Sequence, residues 1–172
     1  PDQTNTDLTI RDFVFSVPII ASAMDGVVDT KMAIELHKLG ALGVLNLDGI
    51  QTRHENPESI LSEIARASDK DITSLLQRFY LEPVKEYLIG ERVQTIKKAG
   101  AKCAVSLIPA TAKKYAPLAK EAGADILVVQ STVTTARHIS KSYHGLVFSE
   151  LVDMIKIPVL VGNCVTYGAA IE

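Results

Sequence analysis

Three stretches of the chain decide its fold, and they share one pattern. They read KLGALGVLNL (residues 38–47), KAGAKCAVSL (residues 98–107) and EAGADILVVQ (residues 121–130). In each, a charged segment ends in Gly-Ala and an apolar run follows at once. Glycine there can adopt the left-handed conformation that ends many helices, and an uninterrupted apolar run is typical of a buried parallel strand. The pattern therefore predicts three helix-to-strand junctions.

Working outward from these junctions gives five core strands that alternate with helices. The predicted core strands are residues 17–23, 42–47, 103–108, 126–131 and 158–162. Such alternation indicates an α/β protein with a parallel sheet and right-handed crossovers, either open or closed into a barrel. A complete (β/α)8 barrel needs about 250 residues. The 172 residues of this chain are therefore enough for five of its strands, in a single domain, 1–172.

The segments outside the core strands carry weaker signals. Residues 9–16 alternate as an edge strand or hairpin arm, and residues 48–56 are polar and indicate a loop. Asp29 or Thr30 can cap the first helix. Residues 57–100 are expected to form two or three helices, where a single crossover helix would suffice.

Composition excludes several classes of function. The chain is 47% hydrophobic and 22% charged, with a net charge of −2, so it lacks the basic surface that nucleic acids or anionic membranes require. Its most apolar stretch, residues 13–24, is interrupted by serine and proline and cannot span a bilayer. Two cysteines and four scattered histidines show no ligand spacing, so no metal site is expected. Sparse thiols suit a reducing compartment, and a cytoplasmic location is predicted.

Polar residues follow the core strands where a barrel carries its active site, at the carboxyl ends. They are mostly uncharged amides and hydroxyls, which suit hydrogen bonding to a nucleotide or sugar better than acid–base chemistry. The set comprises Ser22, Met24, Asp25, Gly26, Asn46, Asp48, Ser106, Gln130, Ser131, Thr132, Gly162, Asn163, Cys164 and Thr166. No Ser-His-Asp arrangement, carboxylate pair or glycine-rich phosphate loop can be assembled from it.

Two segments resemble one enzyme family. PIIASAMDGVVDTKMAIELHKLGALGVLN (residues 18–46) is similar to the first βαβ unit of IMP dehydrogenases and GMP reductases, with its Ser-x-Met-Asp motif. VLVGNCVTYGAA (residues 159–170) resembles the family's Gly-Asn-x-x-Thr segment after the fifth strand. The resemblance is strongest to bacterial IMP-dehydrogenase-related proteins without the regulatory CBS pair. Residues 57–100 would then occupy the place of the CBS insertion.

The resemblance implies a fold and an activity. The fold is the N-terminal part, about five strands, of an incomplete TIM (β/α)8 barrel. The activity of the whole protein is hydride transfer at C2 of a purine nucleotide. Either IMP is oxidised with NAD, or GMP is reductively deaminated to IMP with NADPH. The resemblance also implies a homo-oligomer, a tetramer in this family.

Site residues can be assigned by the same resemblance. Ser22 and Met24 match substrate-binding positions. Five residues match the cofactor side: Gln130, Ser131, Thr132, Gly162 and Asn163. Gln130 departs from the dehydrogenase pattern, in which an aspartate binds the nicotinamide ribose, and this puts ordinary NAD use in doubt.

No catalytic residue is assigned within the chain, because the family's nucleophilic cysteine lies on a Gly-Ser-x-Cys loop after the sixth strand. This sequence contains no such loop, so the 172-residue piece is expected to be inactive alone. Cys164 lies one strand too early and is expected to be a partly buried structural thiol. His138 and His144 have no evident partner and are expected to be solvated loop residues.

Two other functions fit part of the sequence. An FMN-dependent TIM-barrel oxidoreductase also places a Met-x-Gly turn after its first strand, although the Gly-Asn-x-x-Thr segment argues against it. A non-catalytic homologue that binds nucleotide for regulation would share the whole resemblance.

Overall fold

A hairpin precedes the main sheet. The computed structural model describes residues 4–131 and 145–171, and its first elements are β1 (Leu8–Ile10) and β2 (Phe13–Phe15). The two strands pair antiparallel as a separate two-stranded sheet. The predicted hairpin arm over residues 9–16 is thus confirmed as a short hairpin. Its Phe15 side chain is buried against the main sheet.

The five predicted core strands form one parallel sheet in the order of the chain. They are β3 (Ile20–Ala21), β4 (Leu42–Asn46), β5 (Ala104–Leu107), β6 (Ile126–Gln130) and β7 (Val159–Gly162). Each pairs in parallel with the next, as the strands of a (β/α)8 barrel do. The sheet is a curled half-barrel, and the predicted fold class is confirmed.

The first core strand is shorter than the predicted residues 17–23. Pro18 has no N–H to donate to a neighbouring strand, and Val17 instead donates its N–H to the Gly40 carbonyl at 3.0 Å. After Ala21 the chain turns at once, because the Met24 N–H donates to the Ser22 carbonyl at 2.8 Å. Regular pairing is therefore limited to two residues.

Eight helices lie within the described residues. They are α1 (Thr30–Lys38), α2 (Ile50–Arg53), α3 (Pro57–Arg66), α4 (Ile72–Leu81), α5 (Glu86–Lys98), α6 (Pro109–Glu121), α7 (Phe148–Ile155) and α8 (Tyr167–Ile171). Three helices, α3 to α5, occupy residues 57–100, in agreement with the prediction. The interpretation of residues 48–56 as a loop was wrong, because they contain α2. That helix is too short to show a helical period and is fixed by Thr52, whose hydroxyl donates to the Leu47 carbonyl at 2.6 Å.

All three predicted helix-to-strand junctions are confirmed. Gly40, Gly100 and Gly123 have φ angles of 82°, 77° and 107°, so each helix ends in the left-handed conformation that glycine adopts without strain. At the other end of α1, the Asp29 side chain accepts a hydrogen bond from the Met32 N–H at 2.7 Å. Asp29 rather than Thr30 is therefore the N-cap.

The three central strands of the sheet, β4 to β6, are buried on both faces. Leu45, Val105 and Leu127 pack against the helices in the larger core cluster, whereas Leu42 and Val44 face the inner side together with Phe15. Burial on both faces explains why β4 to β6 read as nearly continuous apolar runs. The packing of these strands also determines where they end, and therefore where the polar residues after them lie.

Candidate functional site

A cavity of about 410 Å³ opens at the carboxyl ends of the core strands. Its volume lies within the range of about 300–1,000 Å³ that is usual for small-molecule sites. It is lined by Ala23, Asn46, Ser106, Leu107, Ile108, Gln130, Ser131 and Asn163. Among the described residues, the lining carries amide and hydroxyl groups and no ionisable side chain, in line with the mostly uncharged set predicted at the strand ends.

Strand register brings the polar lining residues together. Asn46 of β4 lies opposite Ser106 of β5, and Gln130 of β6 lies opposite Gly162 of β7. Beyond the sheet, the Ser131 N–H donates to the Gly162 carbonyl at 2.9 Å, and the Asn163 N–H donates to the Ser131 carbonyl at 3.1 Å. Neighbouring strands therefore present these groups at one edge of the half-barrel.

Four of the five residues assigned to the cofactor side meet at this edge. Gln130 is exposed and Ser131 is half-buried, so both can reach a ligand. Gly162 and Asn163 lie beside them on the neighbouring strand end. Thr132, the fifth, lies outside the described residues.

The two predicted substrate residues lie on the turn after β3. Ser22 and Met24 flank Ala23, which lines the cavity, and Met24 is 57% exposed. The Met24 carbonyl accepts hydrogen bonds from the N–H groups of Val27 at 2.9 Å and Val28 at 3.0 Å. Val28 is fully buried, so the turn that carries these two side chains is anchored in the core.

Asp25, next to Met24, is buried and receives a hydrogen bond from a distant helix. The Tyr80 hydroxyl of α4 donates to Asp25 Oδ2. Burial and the neighbouring carboxylate raise the pKa of Tyr80 far above its usual range, so the phenol remains a proton donor. Sequence reasoning missed Tyr80, because nothing local to position 80 points to a residue 55 positions away.

Asp48 ties the end of β4 to the end of β5. Its Oδ2 accepts a hydrogen bond from the Ile108 N–H at 2.7 Å, and its backbone N–H donates to Asn46 Oδ1 at 3.0 Å. Burial is the main effect on this carboxyl and raises its pKa. Asp48 thus fixes the distance between two strand ends that line the cavity, although it does not line the cavity itself.

The two thiols of the chain differ in exposure. Cys103 is fully buried before β5, and burial, with a smaller effect of Asp125, raises the pKa of its thiol to about 12. The expectation that Cys164 is partly buried was wrong, since it is exposed. The cause is its position beyond the end of β7, at the edge of the sheet. His138 and His144 lie outside the described residues.

The parts of the chain that the structure describes contain neither a metal-binding cluster nor a membrane-spanning helix. Residues 4–131 and 145–171 contain no group of three or more histidine, cysteine, aspartate or glutamate side chains placed to hold a metal ion. No helix within the same ranges is both long and apolar enough to cross a membrane.

Comparison with known proteins identifies relatives over nearly the whole chain. The model of the IMP dehydrogenase/GMP reductase domain matches residues 2–172. Uncharacterized oxidoreductases of Mycobacterium bovis and Mycobacterium tuberculosis are each 32% identical over 163 residues. The match covers 92% of this chain and 44% of each relative, so the chain spans a little under half the length of these proteins.

A solved structure gives the same result. The chain is similar to the crystal structure of an IMP dehydrogenase/GMP reductase-like protein from Corynebacterium glutamicum, with a TM-score of 0.89 and 27% identity. The similarity covers 96% of this chain and 44% of that one. Fold and family model agree, and the chain belongs to the IMP dehydrogenase/GMP reductase family.

Proposed function

We propose that this chain forms part of a purine-nucleotide oxidoreductase, in which hydride is transferred at C2 of the purine ring of IMP or GMP. The observation that carries the proposal is the neutral cavity at the strand ends, where Asn46, Ser106, Gln130, Ser131 and Asn163 converge. Family membership supports purine-nucleotide binding in general terms.

Ser22 and Met24 are the proposed nucleotide contacts. The Ser22 hydroxyl can donate to a sugar or phosphate oxygen, and the exposed Met24 side chain offers a polarisable apolar surface to a flat base. Both stand on a turn anchored by buried Val28, so they are held in place before the nucleotide arrives. Such preorganisation lowers the entropic cost of binding.

Gln130, Ser131, Thr132, Gly162 and Asn163 are the proposed cofactor side of the site. The cavity fits the nicotinamide end of NAD or NADP, because its amides and hydroxyls can hydrogen-bond a carboxamide and a ribose. When bound, the nicotinamide would accept or supply the hydride. The residues of this chain would orient it and exclude water from the transfer.

The proposal extends to the whole protein. The nucleophilic thiol is proposed to lie outside residues 1–172, since Cys103 is buried and Cys164 lies one strand earlier than the family's catalytic position. Without that thiol the 172-residue chain alone is proposed to be inactive. Helices α3 to α5 are proposed to replace the CBS insertion, and the full-length protein is proposed to be a cytoplasmic homo-tetramer.

Gln130 bears on the direction of the reaction. A neutral amide holds a ribose hydroxyl less tightly than a carboxylate does, by about 1 kcal/mol or a little more. We therefore propose that the full-length protein is a weak IMP dehydrogenase, and we give at least equal weight to the GMP reductase direction.

Steady-state assays of the full-length protein in both directions test this function. We expect turnover of GMP with NADPH, and slow turnover of IMP with NAD that Gln130→Asp increases about tenfold. The matched control is Gln94→Asp, the same change on the exposed surface of α5. Fast NAD-dependent IMP oxidation that Gln130→Asp leaves unchanged or reduces would contradict the proposed direction. No turnover in either direction, with nucleotide binding intact, would instead support a non-catalytic regulatory homologue.

A further inference from the structure

The helices of residues 57–100 lie beside the turn after β3, and one of their side chains is hydrogen-bonded to it. Tyr80 lies near the end of α4, and its hydroxyl donates to Asp25 Oδ2 across 55 positions of the chain. Asp25 directly follows Met24, a proposed nucleotide contact. A segment with no residue in the cavity is therefore hydrogen-bonded to the turn beside it.

Asp25 depends on this hydrogen bond because of its surroundings. The residue is only 9% exposed, and its Oδ1 is buried without a hydrogen-bond partner among the described residues. A buried carboxylate is costly unless it is hydrogen-bonded. Loss of the Tyr80 hydroxyl would leave both carboxylate oxygens without the donor seen here, so Asp25 would be expected to reorient.

The Asp25 carboxylate packs against the backbone of the chain at Gly49. A Cβ on Gly49 would stand 2.1 and 2.2 Å from the two oxygens of Asp25 and 2.5 Å from Asn46 Nδ2. Glycine at position 49 thus creates the space in which the carboxylate lies. The chain at Gly49 closes one side of the carboxylate, so a reoriented Asp25 would turn toward the cavity that it lines together with Gly26 and Val27 of the same turn.

We propose that Tyr80 is a positioning residue, which holds Asp25 and thereby orients the turn of residues 22–26 for the purine nucleotide. The inference rests on the proposed function, in which Ser22 and Met24 of this turn contact the nucleotide. Under this proposal, the helices of residues 57–100 influence the affinity of the site for the purine nucleotide, and no regulatory domain is needed for this role. The Tyr80 hydroxyl donates to this turn, whereas the cofactor side lies on β6 and β7.

The test compares two conservative variants of the full-length protein. Tyr80→Phe removes one hydroxyl and keeps the ring that lies 5.9 Å from the Arg53 guanidinium. Tyr87→Phe is the matched control, because the Tyr87 hydroxyl also donates to a carboxylate, Glu55, at 2.6 Å, but on the exposed surface of α5. Isothermal titration calorimetry with IMP, GMP, NAD and NADPH gives the dissociation constants, and thermal unfolding gives the midpoint.

We expect Tyr80→Phe to weaken binding of IMP or GMP about tenfold, since a hydrogen bond to a charged group contributes on this order. Dinucleotide binding should match that of Tyr87→Phe, whereas the unfolding midpoint should fall below that of Tyr87→Phe, because the buried Asp25 carboxylate loses its donor. In an Asp25→Asn background, Tyr80→Phe should have little further effect, because the two residues act through one hydrogen bond.

Three results would overturn the inference. Nucleotide affinity equal in the two tyrosine variants would show that Tyr80 does not position the turn. Additive effects of Tyr80→Phe and Asp25→Asn on nucleotide affinity would show that Tyr80 does not act through Asp25. Absence of IMP and GMP binding by the wild-type protein would overturn the proposed function together with this inference. The first two results would overturn only the role of Tyr80.

Discussion

At the scale of single residues, a few polar side chains hold strand ends at fixed distances. Asp125 is the clearest case at the end of the barrel opposite the cavity. Its carboxylate accepts hydrogen bonds from Lys97 Nζ at 2.7 and 2.9 Å and from the Cys103 N–H at 2.7 Å. It therefore joins helix α5 to the segments that enter β5 and β6.

Replacing Asp125 should lower the stability of the full-length protein. We expect Asp125→Ala to lower the free energy of unfolding by about 2–3 kcal/mol, because it removes charged hydrogen bonds and leaves the half-buried Lys97 ammonium without its carboxylate. Glu35→Ala is the control, since the ion pair of Glu35 with Lys38 is exposed and should contribute less than about 0.5 kcal/mol. Urea unfolding measures both. Equal midpoints for the two variants would contradict the assignment.

At the scale of secondary-structure elements, the ends of helices are set by glycine conformation. Helix α5 contains Gly90 in its interior. Gly100 follows the C-cap residue of this helix and has a φ of 77°. A Cβ added at either position would meet no atom within 4 Å. The two sites therefore differ in backbone conformation and not in available space.

Alanine at these two glycines should have opposite effects. Gly100→Ala should destabilise by about 1 kcal/mol, because a side chain disfavours the left-handed conformation. Gly90→Ala should stabilise by about 0.5–1 kcal/mol, because alanine loses less conformational entropy in a helix. Urea unfolding of the full-length variants gives both signs. A stabilising Gly100→Ala would show that α5 does not end in the left-handed conformation.

Elements with a local signal could be predicted from the sequence, and those set by distant contacts could not. The Gly-Ala junctions and the cap at Asp29 follow from a few neighbouring residues, and each is present. The polar residues at the strand ends could be predicted in the same way, and five of them line the cavity: Asn46, Ser106, Gln130, Ser131 and Asn163. The link between Tyr80 and Asp25 depends on how α4 packs against the sheet, and no short pattern encodes it.

At the scale of the whole molecule, the sheet has two open edges. β3 and β7 each pair with one neighbour only within the described residues, and Val161 of β7 is 40% exposed. Unpaired strand edges and exposed apolar side chains favour association with other chains. The rest of a barrel is proposed to cover these edges in the full-length protein.

The 172-residue chain should therefore self-associate when it is produced alone. We expect Val161→Lys to reduce the associated fraction, because a charge on an edge strand opposes pairing. Leu81→Lys should have less effect, although Leu81 is 82% exposed, because it lies on helix α4, which has no unpaired strand backbone. Sedimentation velocity at several concentrations decides this. A compact monomer at all concentrations would contradict the expectation.

The central claim is that the strand ends of this chain hold a purine nucleotide on one side and a nicotinamide dinucleotide on the other. Hydrogen–deuterium exchange of the full-length protein tests it most directly. We expect IMP or GMP to slow exchange in residues 22–28, and NAD or NADPH to slow it in residues 130–131 and 162–164. Protection by either ligand confined to other parts of the chain, such as the groove between α3 and α4 lined by Ser62 and Leu75, would contradict the account.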